Sequence, residues 1–248
     1  MKRRIDILLV ERGLAESRAR AQWLVRAGRV TAAGRPISRP GEAVPVDAPL
    51  EVGAPLPYVG RGGLKLAHAL DTFHVAVQGY VALDVGASTG GFSDCLLQRG
   101  AARVYAVDVG REQLHPRLRA DDRVVSLEQT DIRSLPALPG GALADLAVVD
   151  VSFISLRLVL PAVVPLLRPT GEIIALVKPQ FEVGPGVVGH SGVVRQRAER
   201  ERALREVVAL AQELGLAAAA WCEAPPDEAR GNVEYLAHLR RESPPQPA

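Results

Sequence analysis

Cysteine is nearly absent from the 248 residues: only Cys95 and Cys222 occur. Two thiols cannot build a disulfide framework, and neither sits in metal-ligand spacing. A reducing cytoplasm is therefore the expected compartment, and no metal site is expected. Long apolar runs are missing too. The most apolar stretch, Leu156 to Leu167, is interrupted by Arg157, Pro161 and Pro165 and is too short to span a bilayer. The basic start, Met1-Lys2-Arg3-Arg4, is followed by no apolar signal core or small-residue cleavage site. These absences point to a soluble protein with no membrane partner. A large net charge is also lacking, at +2 overall.

That small total hides an asymmetry. Through Lys65 there are 12 Lys/Arg against 6 Asp/Glu, and the remainder carries 18 against 22. A basic head on a mildly acidic body suits a head that meets a polyanion. The length allows one large domain and a small one, and 48% hydrophobic with 23% charged residues is an ordinary globular balance. We expect a head at 1–58, a linker at 59–63, a larger domain at 64–241 and a frayed, proline-rich tail at 242–248.

In the head, Ile5 to Arg12 reads as a short helix closed by Gly13. Ser17 caps a second helix running to Ala27, with Gly28 just beyond. Ala21, Leu24 and Val25 form its apolar stripe, and Arg18, Gln22, Arg26 and Arg29 follow helical spacing on another side. Short strands follow at Arg29–Thr31, Ala43–Val46 and Leu50–Val52, with a turn at Ala33-Gly34-Arg35. Guanidinium forks at fixed spacing match phosphate oxygens, so Arg4, Arg18, Arg20, Arg26 and Arg29 are the candidate RNA contacts. The run Arg4-Ile5-Asp6-x-Leu8-Leu9-Val10-x-x-Gly13-Leu14-x-x-Ser17-Arg18-x-x-Ala21-x-x-Leu24-Val25-x-x-Gly28-x-Val30 resembles the αL-type RNA-binding domain, named for a small-subunit ribosomal protein. That resemblance implies binding to structured RNA. Pro55, Pro57 and Gly60 to Gly63 then read as linker.

From Tyr80 onward, strand-like and helix-like segments alternate, the pattern of an α/β sheet covered on both faces. Strands are expected at Val81–Val85, Arg103–Val107, Val124–Leu127, Leu146–Val149, Ile173–Val177, Ala217–Trp221 and Val233–His238, with the clearest helix at Gln196–Leu214. The first strand runs into Asp84-Val85-Gly86-Ala87-Ser88-Thr89-Gly90-Gly91-Phe92, where glycines let backbone approach a ligand between a strand and a helix N-terminus. It is neither a P-loop, since no Lys-Ser or Lys-Thr follows, nor a clean G-x-G-x-x-G. An acid at Asp84 suits the amino group of a methionine moiety better than a pyrophosphate. Asp108 ends the second strand, where α/β folds place a carboxylate for ribose hydroxyls. Asp131, after the third strand, could accept from an adenine amino group. Each acid alone is more often a cap or a solvated loop residue. Together, Asp84, Gly86, Ser88, Gly90, Gly91, Phe92, Asp108 and Asp131 look like an S-adenosylmethionine site.

Four charged residues form a second set. Lys65 lies in a helical stretch before the first strand, Asp150 and Lys178 end strands, and Glu234 heads the last one. Charges emerging from apolar strands are costly unless paired or functional. Lys-Asp-Lys-Glu on such a sheet resembles the FtsJ-type ribose methyltransferases, and with the head the match narrows to the TlyA family, historically labelled haemolysins. The segments 59–66, 84–94, 150–155 and 177–182 carry it. The resemblance implies a Rossmann-like fold with a mainly parallel seven-stranded sheet behind a small α+β RNA-binding domain. It also implies S-adenosylmethionine as cofactor and 2′-O-methylation of cytidine in ribosomal RNA of ribosomal subunits. Lys178 would orient the ribose hydroxyl, and accept its proton if neutral. Asp150 would steer Lys178 and the methyl group, while Lys65 and Glu234 would position the ribose. The sulfonium and Lys65 favour a neutral Lys178 and the two acids oppose it, so its charge stays open at this point. The glycine-punctuated loop at Gly184, Gly186, Gly189 and Gly192 is either a closing lid or a plain connection. Pseudouridine synthases share the head but use an Asp in Gly-Arg-Leu-Asp, which is absent here. A pore-forming haemolysin lacks support from any signal, span or barrel pattern.

Overall fold

The computed structural model describes residues 1–26, 28–53, 57–184, 186–189, 192–226 and 231–241. The expected helix end at Ala27, the linker residue Pro55 and the tail at 242–248 lie outside the described residues. The chain divides into two compact units, Met1–Arg61 and a larger one beginning at Gly62. Gly62 and Gly63, read from sequence as linker, open the first helix of the larger unit.

The first unit contains β1 (Lys2–Arg4), α1 (Ile5–Glu11), α2 (Arg18–Arg26), β2 (Val30–Ala32), β3 (Arg35–Pro36), β4 (Ala43–Pro45) and β5 (Leu50–Val52). Ser17 caps α2, its Oγ accepting from the Arg20 amide at 3.1 Å. Ala33 and Gly34 both have positive φ (50° and 74°), the two-residue mirror-image turn that joins twisted strands β2 and β3. The apolar stripe of α2 packs as expected: Ala21, Leu24 and Val25 meet Ile5, Leu9, Val30, Ile37 and Val44 in one small core. Strand β1 has no sequence signature, being three charged residues; its pairing with β4 creates it.

The larger unit contains α3 (Gly62–Phe73), β6 (Val81–Val85), α4 (Gly91–Gln98), β7 (Arg103–Val107), α5 (Pro116–Arg119), β8 (Val124–Leu127), β9 (Ala144–Val149), α6 (Leu156–Val163), β10 (Leu167–Val177), α7 (Pro179–Glu182), α8 (Arg197–Glu213), β11 (Leu216–Glu223) and β12 (Tyr235–Arg241). The sheet order is β11-β12-β10-β9-β6-β7-β8. From β10 to β8 all neighbours are parallel; β12 alone runs opposite to both its partners. This is the expected seven-stranded, mainly parallel arrangement. Strands β6 and β9, and β10 from Ile173 onward, are buried nearly throughout, as central parallel strands covered on both faces must be. Leu83, Val85, Val149, Leu160, Ile173 and Val207 belong to the main core, each fully buried aliphatic side chain contributing roughly 1.5–3 kcal/mol. Strand β10 starts six residues before the expected Ile173, because Arg168-Pro169-Thr170 offers no alternation to read.

Parallel strands deliver their carboxyl ends to one rim. Asp84, Asp108, Asp150 and Lys178 all lie at that rim of β6, β7, β9 and β10. Antiparallel β12 presents its beginning there, with Tyr235 paired to Val177, which places Glu234 beside Lys178 in the chain order of the rim.

Candidate active site

The four charged residues resolve into two ion pairs. Lys65 Nζ lies 2.5 Å from Glu234 Oε2, both side chains being buried. Lys65 reaches the rim from the first turns of α3, and Glu234 sits in the connection just before β12 rather than inside the strand. Lys178 Nζ lies 2.5 Å from Asp150 Oδ1, donates to Val151 O at 2.9 Å and to Ser152 Oγ at 3.0 Å. Two hydrogen bonds and one ion contact thus hold the Lys178 side chain against the 150–152 segment. The two pairs stand on neighbouring strands, and the helix that carries Lys65 approaches Asp150: a Cβ added to Gly62, at the start of α3, would stand 3.7 Å from Asp150 Oδ2 and 3.3 Å from the Phe92 ring. A side chain at Gly62 would fill the space between α3 and Asp150.

Buried acceptors are left open here. Glu234 Oε1 and Asp84 Oδ1 are buried with no hydrogen-bond partner among the described residues. Such atoms are costly unless a ligand donor completes them.

Beside Asp150 opens a cleft of about 760 Å³ lined by Gly86, Ser88, Asp108, Asp131, Asp150 and Phe153, among others. Gly86 has φ 84°, and a Cβ there would collide with Asp150 O at 2.5 Å, so only glycine lets β6 turn away this close to β9. Gly90, with φ 92°, caps α4. The expected cofactor residues divide accordingly. Gly86, Ser88, Asp108 and Asp131 line the cleft; Asp84, Gly90, Gly91 and Phe92 do not. Asp84 is fully buried beneath the loop, accepting from Ser93 Oγ at 2.7 Å. Burial pushes its carboxyl up to about 7, with the Asp150 charge adding to the effect. Asp108 braces the loop by accepting from the Ser88 amide at 2.8 Å and the Gly110 amide at 2.7 Å. Asp131 caps the turn that follows it and pairs with Arg133, which holds its carboxyl below the usual range.

Sequence reasoning missed Phe153. Its ring is 91% exposed at the lip of the cleft, its φ is +65°, and it lies 5.2 Å from Phe181. A bulky residue in left-handed backbone is uncommon and costs energy. No periodicity announces it, because it stands in the loop after Asp150. Asn232 was also missed: its Oδ1 accepts from the Val194 amide and its Nδ2 donates to Gly192 O. It thereby ties the glycine-punctuated loop to the segment that carries Glu234.

In the first unit the five expected RNA contacts separate. Asp6 is fully buried, and its carboxylate accepts from Arg4, Arg18 Nε (3.0 Å) and Gln22 Nε2 (3.0 Å). The Arg4 hydrogen bonds, against burial, hold that carboxyl well below the usual range. Arg29 donates to Gly53 O. Arg20 lies over the half-exposed Trp23 ring at 4.2 Å, and Arg26 is exposed. Arg4, Arg18 and Arg29 thus build the unit, while Arg20 and Arg26 face outward on α2.

Among the described residues there is no metal-capable cluster of His, Cys, Asp or Glu, and no helix long and apolar enough to cross a membrane. Residues 3–48 match the S4 domain, and residues 58–241 match the FtsJ-like methyltransferase model. The chain is 47% identical over 97% of its length, and 90% of the relative's, to the 16S/23S rRNA (cytidine-2′-O)-methyltransferase TlyA of Mycobacterium tuberculosis. It is 36% identical over 95% of its length, and 99% of the relative's, to hemolysin A of Brachyspira hyodysenteriae. A solved structure provisionally described as a hemolysin of Streptococcus thermophilus superposes with a TM-score of 0.77 at 44% identity, covering 98% of this chain and 90% of that one. With its paired charges on the rim of this sheet and a family match across three-quarters of its length, the chain belongs to the FtsJ-like methyltransferases and carries an S4 domain ahead of that fold.

Proposed function

We propose that the chain is an S-adenosylmethionine-dependent 2′-O-methyltransferase acting on cytidine ribose in ribosomal RNA, within ribosomal subunits of the cytoplasm. The observation that carries this reading is the placement of two ion pairs, Lys65–Glu234 and Lys178–Asp150, at neighbouring positions on one rim of the sheet, with Asp150 lining the cleft. Residues 1–58 serve as the RNA-binding domain, presenting Arg20 and Arg26 to phosphates, and 64–241 as the catalytic domain.

The cleft's chemistry fits the cofactor. Gly86 and Ser88 offer backbone at close approach, Asp108 stands where ribose hydroxyls are met, and Asp131 where an adenine amino group is. The buried Asp84 carboxylate supports the loop from below and favours a cationic ligand above it. When bound, the cofactor supplies an electrophilic sulfonium methyl group.

The protein's own residues then govern the hydroxyl. Lys178, tied to Val151 O and Ser152 Oγ, holds Asp150 in place through their ion pair. Asp150 orients the hydroxyl and receives its proton. A hydroxyl oxygen turns strongly acidic as it gains a methyl group, so a carboxylate is a strong enough base for a proton lost late. Glu234 Oε1, the open acceptor, fits a second ribose hydroxyl, with Lys65 fixing its orientation. Phe153 offers an exposed ring face against which a splayed base stacks, the usual way unpaired RNA bases are held.

The test is incubation of the purified protein with methyl-labelled S-adenosylmethionine and ribosomal subunits lacking the modification, followed by nuclease digestion and mass spectrometry. Label on cytidine ribose is expected. Label confined to bases, or none on either subunit from protein that binds the cofactor, overturns the assignment.

A further inference from the structure

The loop between Asp150 and α6, residues 151–155, is fastened to the segment beginning at Lys178 at three successive points. At its start, Lys178 Nζ donates to Val151 O and Ser152 Oγ. At its middle, the Phe181 ring leans on Phe153. At its end, Glu182 accepts from Ser155 Oγ at 2.6 Å and from the Leu156 amide at 2.9 Å. Residues 178, 181 and 182 stand at helical i, i+3 and i+4 spacing across α7, so one turn of helix presents all three to the same loop.

Capping of α6 does not by itself call for Glu182. Ser155 already fills that role, its Oγ accepting from the Arg157 amide at 3.1 Å. A carboxylate here is partly buried, and burial pushes its carboxyl up, so the position carries a desolvation cost that a neutral residue would avoid. What the carboxylate adds is a connection between two segments: it joins the loop holding Phe153 and Ser152 to the turn holding Lys178.

We infer that Glu182 is a positioning residue for methyl transfer, clamping the 151–155 loop so that Phe153 and the Lys178–Asp150 pair keep a fixed relation to the target nucleotide. The inference rests on the reading of the preceding subsection. Glu182 touches neither nucleotide nor cofactor; it acts through the backbone of Leu156 and the hydroxyl of Ser155.

The experiment compares Glu182→Ala, Glu182→Gln and Phe153→Ala with the wild type, measuring kcat and KM on ribosomal subunits and cofactor Kd separately. Glu182→Ala is expected to lower kcat at least tenfold with cofactor Kd changed less than about twofold. Glu182→Gln restores most of the loss, because an amide can still accept from the Leu156 amide and donate to Ser155 Oγ. The double variant Glu182→Ala/Phe153→Ala is expected to be no slower than the slower single variant, since residues acting through one loop are not additive. Hydrogen exchange at Leu156, measured without any RNA, is expected to speed up in Glu182→Ala and Ser155→Ala but not in Glu182→Gln. Full kcat in Glu182→Ala, no rescue by Gln, or losses that add to those of Phe153→Ala overturn the inference while leaving the methyltransferase reading intact. A wild type that methylates no RNA overturns both. Should Glu182→Ala fail to fold, Glu182→Asp, which keeps the charge but shortens its reach to Ser155 and Leu156 while leaving the Ser155 cap in place, carries the same kinetic comparison.

Discussion

Lys65 and Glu234, 169 positions apart in the chain, meet at 2.5 Å in a setting where neither side chain is more than a tenth exposed. A pair so shielded is weak evidence for stability and a strong constraint on variants. Removing one partner strands the other charge out of water.

Lys65→Ala and Glu234→Ala are therefore each expected to lose about 3–5 kcal/mol of unfolding free energy and to lose methyl transfer. The paired replacement Lys65→Met/Glu234→Leu is expected to recover most of the stability and none of the activity. Urea unfolding beside the labelling assay checks both parts.

Asp84 gives a pH signature with a definite sign. Its carboxyl is raised to about 7 in the folded protein, against the ordinary carboxylate range when unfolded. Between those limits the native state holds a proton that the unfolded state has lost, so this residue makes stability fall as pH rises and then level off above about 7. Asp84→Asn is expected to flatten that segment of the curve relative to wild type. Chemical denaturation at intervals from mildly acidic to mildly alkaline pH measures it; parallel curves for the two proteins would refute the assignment.

The contacts of Lys178 predict which of the two residues takes the proton. With Asp150 as the acceptor and Lys178 as its anchor, Asp150→Asn is expected to abolish single-turnover methyl transfer, while Lys178→Arg, which keeps a cationic donor but offers no base, is expected to retain measurable transfer. Transfer by Asp150→Asn, with none by Lys178→Arg, would assign the proton to Lys178.

Two classes of arginine in the first unit are separable by salt. Arg20→Ala and Arg26→Ala are expected to weaken RNA binding and to reduce the dependence of log K on log salt by about one ion each. Arg4→Ala and Arg18→Ala break bonds to the buried Asp6 carboxylate, so their main effect is expected on the melting of this unit. Filter binding at several salt concentrations, with thermal unfolding of the same variants, distinguishes them.

Much of the architecture was legible because its signals are local. Apolar runs of four or five residues marked β6, β7, β9 and the end of β10, and the glycines at 86 and 90 sit where left-handed backbone is needed. The four rim charges were legible because charge at the end of an apolar strand is costly. What escaped was created by distant partners. Strand β1 exists only against β4, and β10 begins early because β9 extends its ladder back to Leu167. Arg4 and Arg18 looked like outward arginines until folding set Asp6 between them. Phe153 and Glu182 carry no pattern; their meaning comes from a loop and a turn brought side by side.

Because β12 runs backward through the rim, Glu234 reaches its partner only after the β11–β12 hairpin has joined the sheet. During synthesis, the first sixty residues emerge and can fold as a unit long before the last strand leaves the ribosome. A nascent chain therefore acquires its arginine-bearing helix early, and keeps Lys65 without its Glu234 counter-charge until a further 169 residues have been made. The order of residues on the chain thus acts as a timer that withholds the reaction until the whole fold is present.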